Sequence, residues 1–287
     1  METLIRQKLI RDGQLCAHLA RREQSIFYHK AQADDNAAAY PQIILAAEKY
    51  SDPIKGVAGV LTVDILTVQT NESSPEDIER LIRADLENVF FRGEEIFSVK
   101  WQRSEMFTEQ AAERLPLIVG MTITFEIFEF PAVQTSNPDL IDALNAWAGQ
   151  FQELFVIGRN EFDLFFEPTR DNPAIYFDLE KIEFSKQILN ALAWVQATAN
   201  LHLFCPDIKA RREWLQFLHN VLVTENVIML GDRSPARLQK SSWNWQASET
   251  QGQIQLKYEY GLARLERYAH PLIKRNDSFD GALRWQN

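Results

Sequence analysis

The chain predicts an α+β fold made of two similar tandem domains, each a mainly antiparallel sheet with helices packed on one face. Three observations lead there. First, short sequences recur in the same order. Leu86-Glu87-Asn88-Val89 returns as Leu218-His219-Asn220-Val221, and Asp35-Asn36-Ala37-Ala38-Ala39-Tyr40 returns as Asp171-Asn172-Pro173-Ala174-Ile175-Tyr176. The offsets are 218 − 86 = 132 and 171 − 35 = 136, close enough for one loop insertion to explain the difference. Second, the order helix, strands, helix, two strands is read twice along the chain. Third, 287 residues suit two compact domains of roughly 100–150 residues each. The period is too long for a solenoid. It divides the chain into unit one (1–134), unit two (135–263) and a carboxyl-terminal segment (264–287).

In unit one, Ile5, Leu9, Cys16 and Leu19 lie near one stripe of a helix over about 3–20, which Gly13 weakens. A strand at Ser25 to His29 precedes the polar loop Gln32 to Ala39 and the apolar segment Tyr40 to Leu45. A long strand at Gly59 to Thr70 sets Leu61, Val63 and Ile65 against Thr62 and Asp64. The next helix starts at Ser74 as cap, Pro75 at the first helical position and Asp77 closing a Ser-x-x-Asp box, with Ile78, Ile82, Leu86 and Val89 inward. Strands over about 96–107 and 117–130 close the unit.

Pro131 to Pro138 reads as the linker. Unit two then starts on a helix over about 138–155, capped by Asn137, with Leu140, Leu144, Trp147, Phe151 and Leu154 as its apolar stripe. A strand at Glu161 to Glu167, the loop Pro168 to Pro173 and the segment Ala174 to Phe177 follow. Val195, Ala197, Ala199, Leu201 and Leu203 alternate with polar neighbours in a half-buried strand. A helix from about Pro206 buries Trp214, Phe217, Leu218 and Val221, and strands over about 237–247 and 253–263 finish the unit.

Composition narrows the function classes. A hydrophobic content of 46% and charged content of 24% are those of a globular protein, and no apolar run reaches the ~20 residues of a membrane span. The first residues lack the basic-then-apolar order of a signal peptide, so an intracellular product is expected. Cys16 and Cys205 fall in different units, which argues against a disulfide framework. The net charge of −10 disfavours a phosphate-binding surface and suits a surface that DNA passes without sticking.

Catalytic signatures are missing: the chain contains no glycine-rich phosphate loop, no nucleophile elbow and no His-Glu-x-x-His. His202 and Cys205 make a lone His-x-x-Cys without a second pair, so no metal and no cofactor are expected. Glu161, Asp163 and Glu167 share one face of their strand and offer a carboxylate pair for hydrolysis, although solvated acids are the plainer reading. Asp34-Asp35-Asn36 reads as turn chemistry. Trp101, Trp243 and Trp245 read as packing residues of core or interface. Residues 264–287 lie outside the repeat and carry Arg264, Arg267, Lys274, Arg275 and Arg284 among Tyr268, Phe279 and Trp285. This segment is expected to dock on a neighbour, with Arg267, Tyr268, Arg275, Phe279, Arg284 and Trp285 as contact residues.

The outline of unit one resembles the tail terminator (tail-completion, minor tail) proteins of tailed bacteriophages. It does so through the N-terminal helix, the Tyr40-Pro41-Gln42-Ile43-Ile44-Leu45 segment, the strand at Gly59 to Thr70, the Ser74-Pro75-Glu76-Asp77 helix start and two closing strands. Unit two shares the likeness through the repeat. The resemblance implies a non-enzymatic virion protein, made in the bacterial host cytoplasm. It would form a ring at the top of the tail tube, end tube polymerisation and join the tail to the head connector at the neck. The implied partners are other copies of the chain, the tail tube protein, the head connector and, for one unit, a contractile sheath. DNA would pass the channel without specific binding, and no membrane is involved. Two fused units depart from the usual single domain. Six chains in a two-tier ring, or three with pseudo-six-fold symmetry, both fit. The alternatives are an intracellular hydrolase using Glu161 and Asp163, or an adaptor of another contractile injection machine.

Overall fold

A computed structural model of the chain describes residues 1–29, 39–52, 56–68, 73–109, 117–132, 134, 139–188 and 192–263. Two curled, mainly antiparallel sheets with five α-helices give the α+β fold. The first half contains α1 (Glu2–Arg11), α2 (Gly13–His18), β1 (Ile26–Tyr28), β2 (Gln42–Asp52), β3 (Val57–Val68), α3 (Pro75–Leu86), β4 (Phe90–Arg92), β5 (Ile96–Glu109) and β6 (Ile118–Phe130). The second contains α4 (Leu140–Ala148), β7 (Phe155–Val156), β8 (Phe165–Phe166), β9 (Ala174–Ile188), β10 (Leu192–Phe204), α5 (Ile208–Glu225), β11 (Val227–Met229), β12 (Pro235–Trp243) and β13 (Ile254–Ala263).

The duplication is visible in the sheets. One runs β1-β2-β3-β6-β5-β4 and the other β7-β9-β10-β13-β12-β11, with β8 added beyond β4 in the first. In both, the leading short strand is parallel to its neighbour, and the other named neighbours pair antiparallel. Even a bulge repeats. Gln102 is the extra residue between Trp101 and Arg103 in β5, and Gln239 is the extra residue between Leu238 and Lys240 in β12.

The register of the repeat differs from the one read in sequence. Asn88, with φ 60°, and Asn226, with φ 59°, both take the left-handed conformation just past their helices, where Asn is tolerated. The matching segments are therefore Glu87-Asn88-Val89 and Glu225-Asn226-Val227, offset by 226 − 88 = 138. Leu218 to Val221 lie inside α5 instead. At 18 residues against 12, α5 is six longer than α3, which accounts for the change from 132 to 138. The repeated Asp35 segment lies largely outside the described residues.

Local chemistry explains the element boundaries. The expected helix over 3–20 is broken at Asp12, which is extended at φ −78°, ψ 104° and caps α2 by accepting from Gln14 N at 2.7 Å. Ile5, Leu9, Leu15, Cys16 and Leu19 are still buried. Ser74 caps α3 as expected, its Oγ accepting from Asp77 N at 3.2 Å. The helix expected over 138–155 is shorter, ending at Ala148 with Gly149 as its C-cap, and its N-cap is Asp139 rather than Asn137. Asp139 Oδ1 accepts from both Ile141 N and Asp142 N. In α5 the cap is Asp207 and the buried stripe is Ala210, Leu215, Leu218 and Leu222. Trp214 is only half-buried and Phe217 is exposed, so the expected inward face was rotated by part of a turn.

Each sheet has its own core. That of the first half runs from Ile5 through Leu61, Ile82 and Phe125. That of the second runs from Leu140 through Phe177, Leu218 and Leu256. A third, aromatic cluster joins the halves. Phe130 makes edge-to-face contacts with Phe90 at 5.3 Å, Tyr176 at 5.1 Å and Phe204 at 5.5 Å, and Phe155 stacks on Phe166 at 3.7 Å. Of the strand expected over 161–167, Phe165 and Phe166 alone form one, β8. They pair with β4 of the first sheet, not with unit two. The counterpart of β1 is β7.

Candidate functional site

Candidate functional features lie in three places: the long strand edges, a groove over α5, and a carboxyl pair in the first half. The edges follow from strand lengths. β1 covers β2 at Ile43 to Leu45, and the Glu2 carboxylate accepts from Ala47 N at 2.9 Å. β4 covers β5 only at Ile96 to Ser98. β7 covers β9 only at Ala174 and Ile175. The Gln134 side chain extends that cover, donating to Phe177 O at 2.7 Å and accepting from Leu179 N at 2.7 Å. β11 covers β12 only at Pro235 to Arg237.

Beyond those points, no strand among the described residues pairs with the outer sides of β2, β5, β9 and β12. Each uncovered stretch shows a large apolar side chain: Tyr50 (48% exposed), Met106 (57%), Phe184 (65%) with Ile182, and Trp243. Charges are interspersed, as in Arg103, Glu105, Lys181 and Glu183, which discourages indiscriminate edge pairing. The closing strands β6 and β13 are central in their sheets. Strand order is set by tertiary pairing, not by position in the chain.

A cavity of about 550 Å³ lies where the turn after α4 meets α5. Its apolar wall is Phe151, Trp214 and Phe217. Phe151 contacts Phe217 edge-on at 5.6 Å, and Trp214 contacts Phe217 at 5.9 Å. Glu153, Asp171 and Glu213 with a single Arg170 give it an acidic polar lining.

The carboxyl pair is Asp12 and Asp85. Burial pushes the Asp85 carboxyl up to about 7; the charge of Asp12 adds to this and that of Lys8 opposes it. Asp85 Oδ2 is buried without a hydrogen-bond partner. Lys8 is held by Glu167, which ties this pair to the second half of the chain. Burial likewise raises the nearby Cys16 thiol, helped by Glu23 and Asp12.

The residues singled out from sequence fare differently. Glu161 and Asp163 are exposed, lie outside any strand and line none of the described cavities. His202 is buried, with Nε2 2.8 Å from Asp178 Oδ1 and Nδ1 2.7 Å from Glu249 O. Arg211 pairs with Glu249 as well, so these groups pin the turn between β12 and β13. Cys205 is buried, which raises its thiol pKa. No cluster of metal-ligating side chains occurs among the described residues, and no helix there is long and apolar enough to cross a membrane.

Of the three tryptophans, Trp101 is half-buried and packs against the core of the first half. Trp101 lies under Arg83 at 3.9 Å, Trp245 under Arg212 at 4.1 Å, and Trp243 is partly exposed. Asp34 to Asn36 and the contact residues Arg267, Tyr268, Arg275, Phe279, Arg284 and Trp285 lie outside the described residues.

Sequence reading missed the Asp12–Asp85 pair and the α5 groove. The break at Asp-Gly 12–13 was the one available signal for the first. No protein-family model matches the chain, and no characterised protein matches it either.

Proposed function

We propose that the chain is a structural, ring-forming protein of a phage or phage-like tail, acting as a tail terminator. The observation that carries this reading is the pair of uncovered edges on each of two like-built sheets. In the first sheet, β2 and β5 lie on opposite sides; in the second, β9 and β12 do. One copy can therefore offer β5 and β12 to the β2 and β9 edges of the next. Such a contact is head-to-tail, and repeated around an axis it closes a ring. The shared aromatic cluster around Phe130 fixes the two units together, so both contacts form at once.

In this reading the ring caps the tail tube, stops its growth and presents its other face to the head connector. The acidic balance of the chain repels DNA phosphates along the channel. The test is the mass of the purified protein by light scattering, with negative-stain images of the same sample. Closed rings support the proposal and count the subunits. A protein that stays monomeric and also fails to bind the ends of added tail tubes overturns it.

A further inference from the structure

We propose that the groove over α5 receives the carboxyl-terminal segment, residues 264–287, of a neighbouring copy. Trp285 sits among Phe151, Trp214 and Phe217, and Arg275 and Arg284 face Glu153, Asp171 and Glu213. The inference rests on the self-assembly reading above and names the contact that locks it.

Shape and charge both point to this occupant. The cavity of about 550 Å³ has room for an indole with a guanidinium beside it. Its aromatic wall is open to water, with Phe217 44% exposed on a helix whose opposite face is fully packed. Three of the four charged residues lining it are acidic. The segment has five Lys and Arg against three Asp and Glu, whereas the other 263 residues have 25 against 37. It is thus the basic end of an acidic chain, and its Arg284-Trp285 pair combines the two side chains most favoured at interface anchors. Arg matches carboxylates and aromatic faces together.

The end of β13 lies away from the groove of its own chain. Ala263 pairs with Leu192 at one end of β10. Arg170, Asp171 and the start of α5 lie at the other end, where Phe204 pairs with Ala174. Along β10 those ends are roughly 40 Å apart at about 3.3 Å per residue. Fully extended, the residues after Ala263 span roughly 80 Å; a neighbour's groove is the proposed destination, and fold-back onto the same chain is the outcome that the single-chain variant below detects.

The experiment uses three full-length proteins: a groove variant (E153R/E213R), a segment variant (R275E/R284E) and both sets in one chain. Self-association is followed by sedimentation across dilution, and folding by circular dichroism. Each variant alone is expected to associate about tenfold more weakly or worse than wild type. An equal mixture of the two is expected to recover, because each altered groove meets an oppositely altered segment. Trp285→Ala and Phe217→Ala, which change no charge, are expected to weaken association as well.

Recovery in the single chain but not in the mixture means the segment folds back on its own groove, and overturns the proposal. Variants that assemble like wild type overturn it too, while leaving the ring reading intact. A wild-type protein that does not self-associate in solution also overturns it; the ring reading then stands or falls on binding to tube ends.

Discussion

Asp85→Asn is expected to stabilise the protein, and to do so only where the carboxyl would be ionised. In the folded chain this group is half-buried on α3, has one oxygen without a partner and faces Asp12, with Lys8 and Glu167 close by. Its pKa moves from 3.8 to about 7, so the fold prefers the neutral acid. The sign follows from linkage: between those values the folded state holds a proton that the unfolded state has lost. Stability from this group is full below about pH 4, falls as pH rises and is lost above about pH 7. A shift of that size has a ceiling of roughly 4 kcal/mol. Solvent reaches about half the group and screens the charge, which leaves roughly 2 kcal/mol.

Asn keeps the shape, carries no charge at any pH and can donate to Asp12. The variant should gain about 2 kcal/mol at pH 8 and less than half of that at pH 5. Urea unfolding followed by tryptophan fluorescence measures it, since urea, unlike guanidinium, leaves ionic screening unchanged. A gain equal at both pH values would refute the electrostatic account. A loss at pH 8 would mean that the ionised Asp85 is a stabilising partner of Lys8.

Other substitutions probe packing and assembly. Gly59→Ala should cost about 1–3 kcal/mol in urea unfolding, because a Cβ there overlaps the Glu48 carbonyl on β2. Leu218→Ala should cost about 2–5 kcal/mol by the same assay. Trp214→Ala, removing a half-buried ring from the groove wall, should cost under about 2 kcal/mol; the reverse order would mean that the α5 register is wrong. Phe130→Ala should remove about 3–5 kcal/mol and separate the unfolding of the two halves in calorimetry, since its ring bridges both. Phe184→Asp should leave circular dichroism unchanged while abolishing rings in negative stain; intact rings would exclude the β9 edge as a contact.

What could be read from sequence was local. The Ser74 cap, the alternation of Val195 to Leu203 and the inward Ile78, Ile82 and Leu86 depend on neighbours within a turn or a strand. These patterns sufficed for the α+β class and for seeing that the chain repeats. Other features depend on residues far apart in sequence. Six additional residues in α5 displaced the apparent repeat, and only the two left-handed asparagines, Asn88 and Asn226, restore the match. Strand order made β6 and β13 central and left β2, β5, β9 and β12 partly uncovered. Phe165 and Phe166 pair across to β4, and Asp85 meets Asp12 from another helix. Periodicity records which side of an element is apolar. Which element lies beside it, and hence which edge is free and which carboxyl is buried, is decided when the distant segments pack.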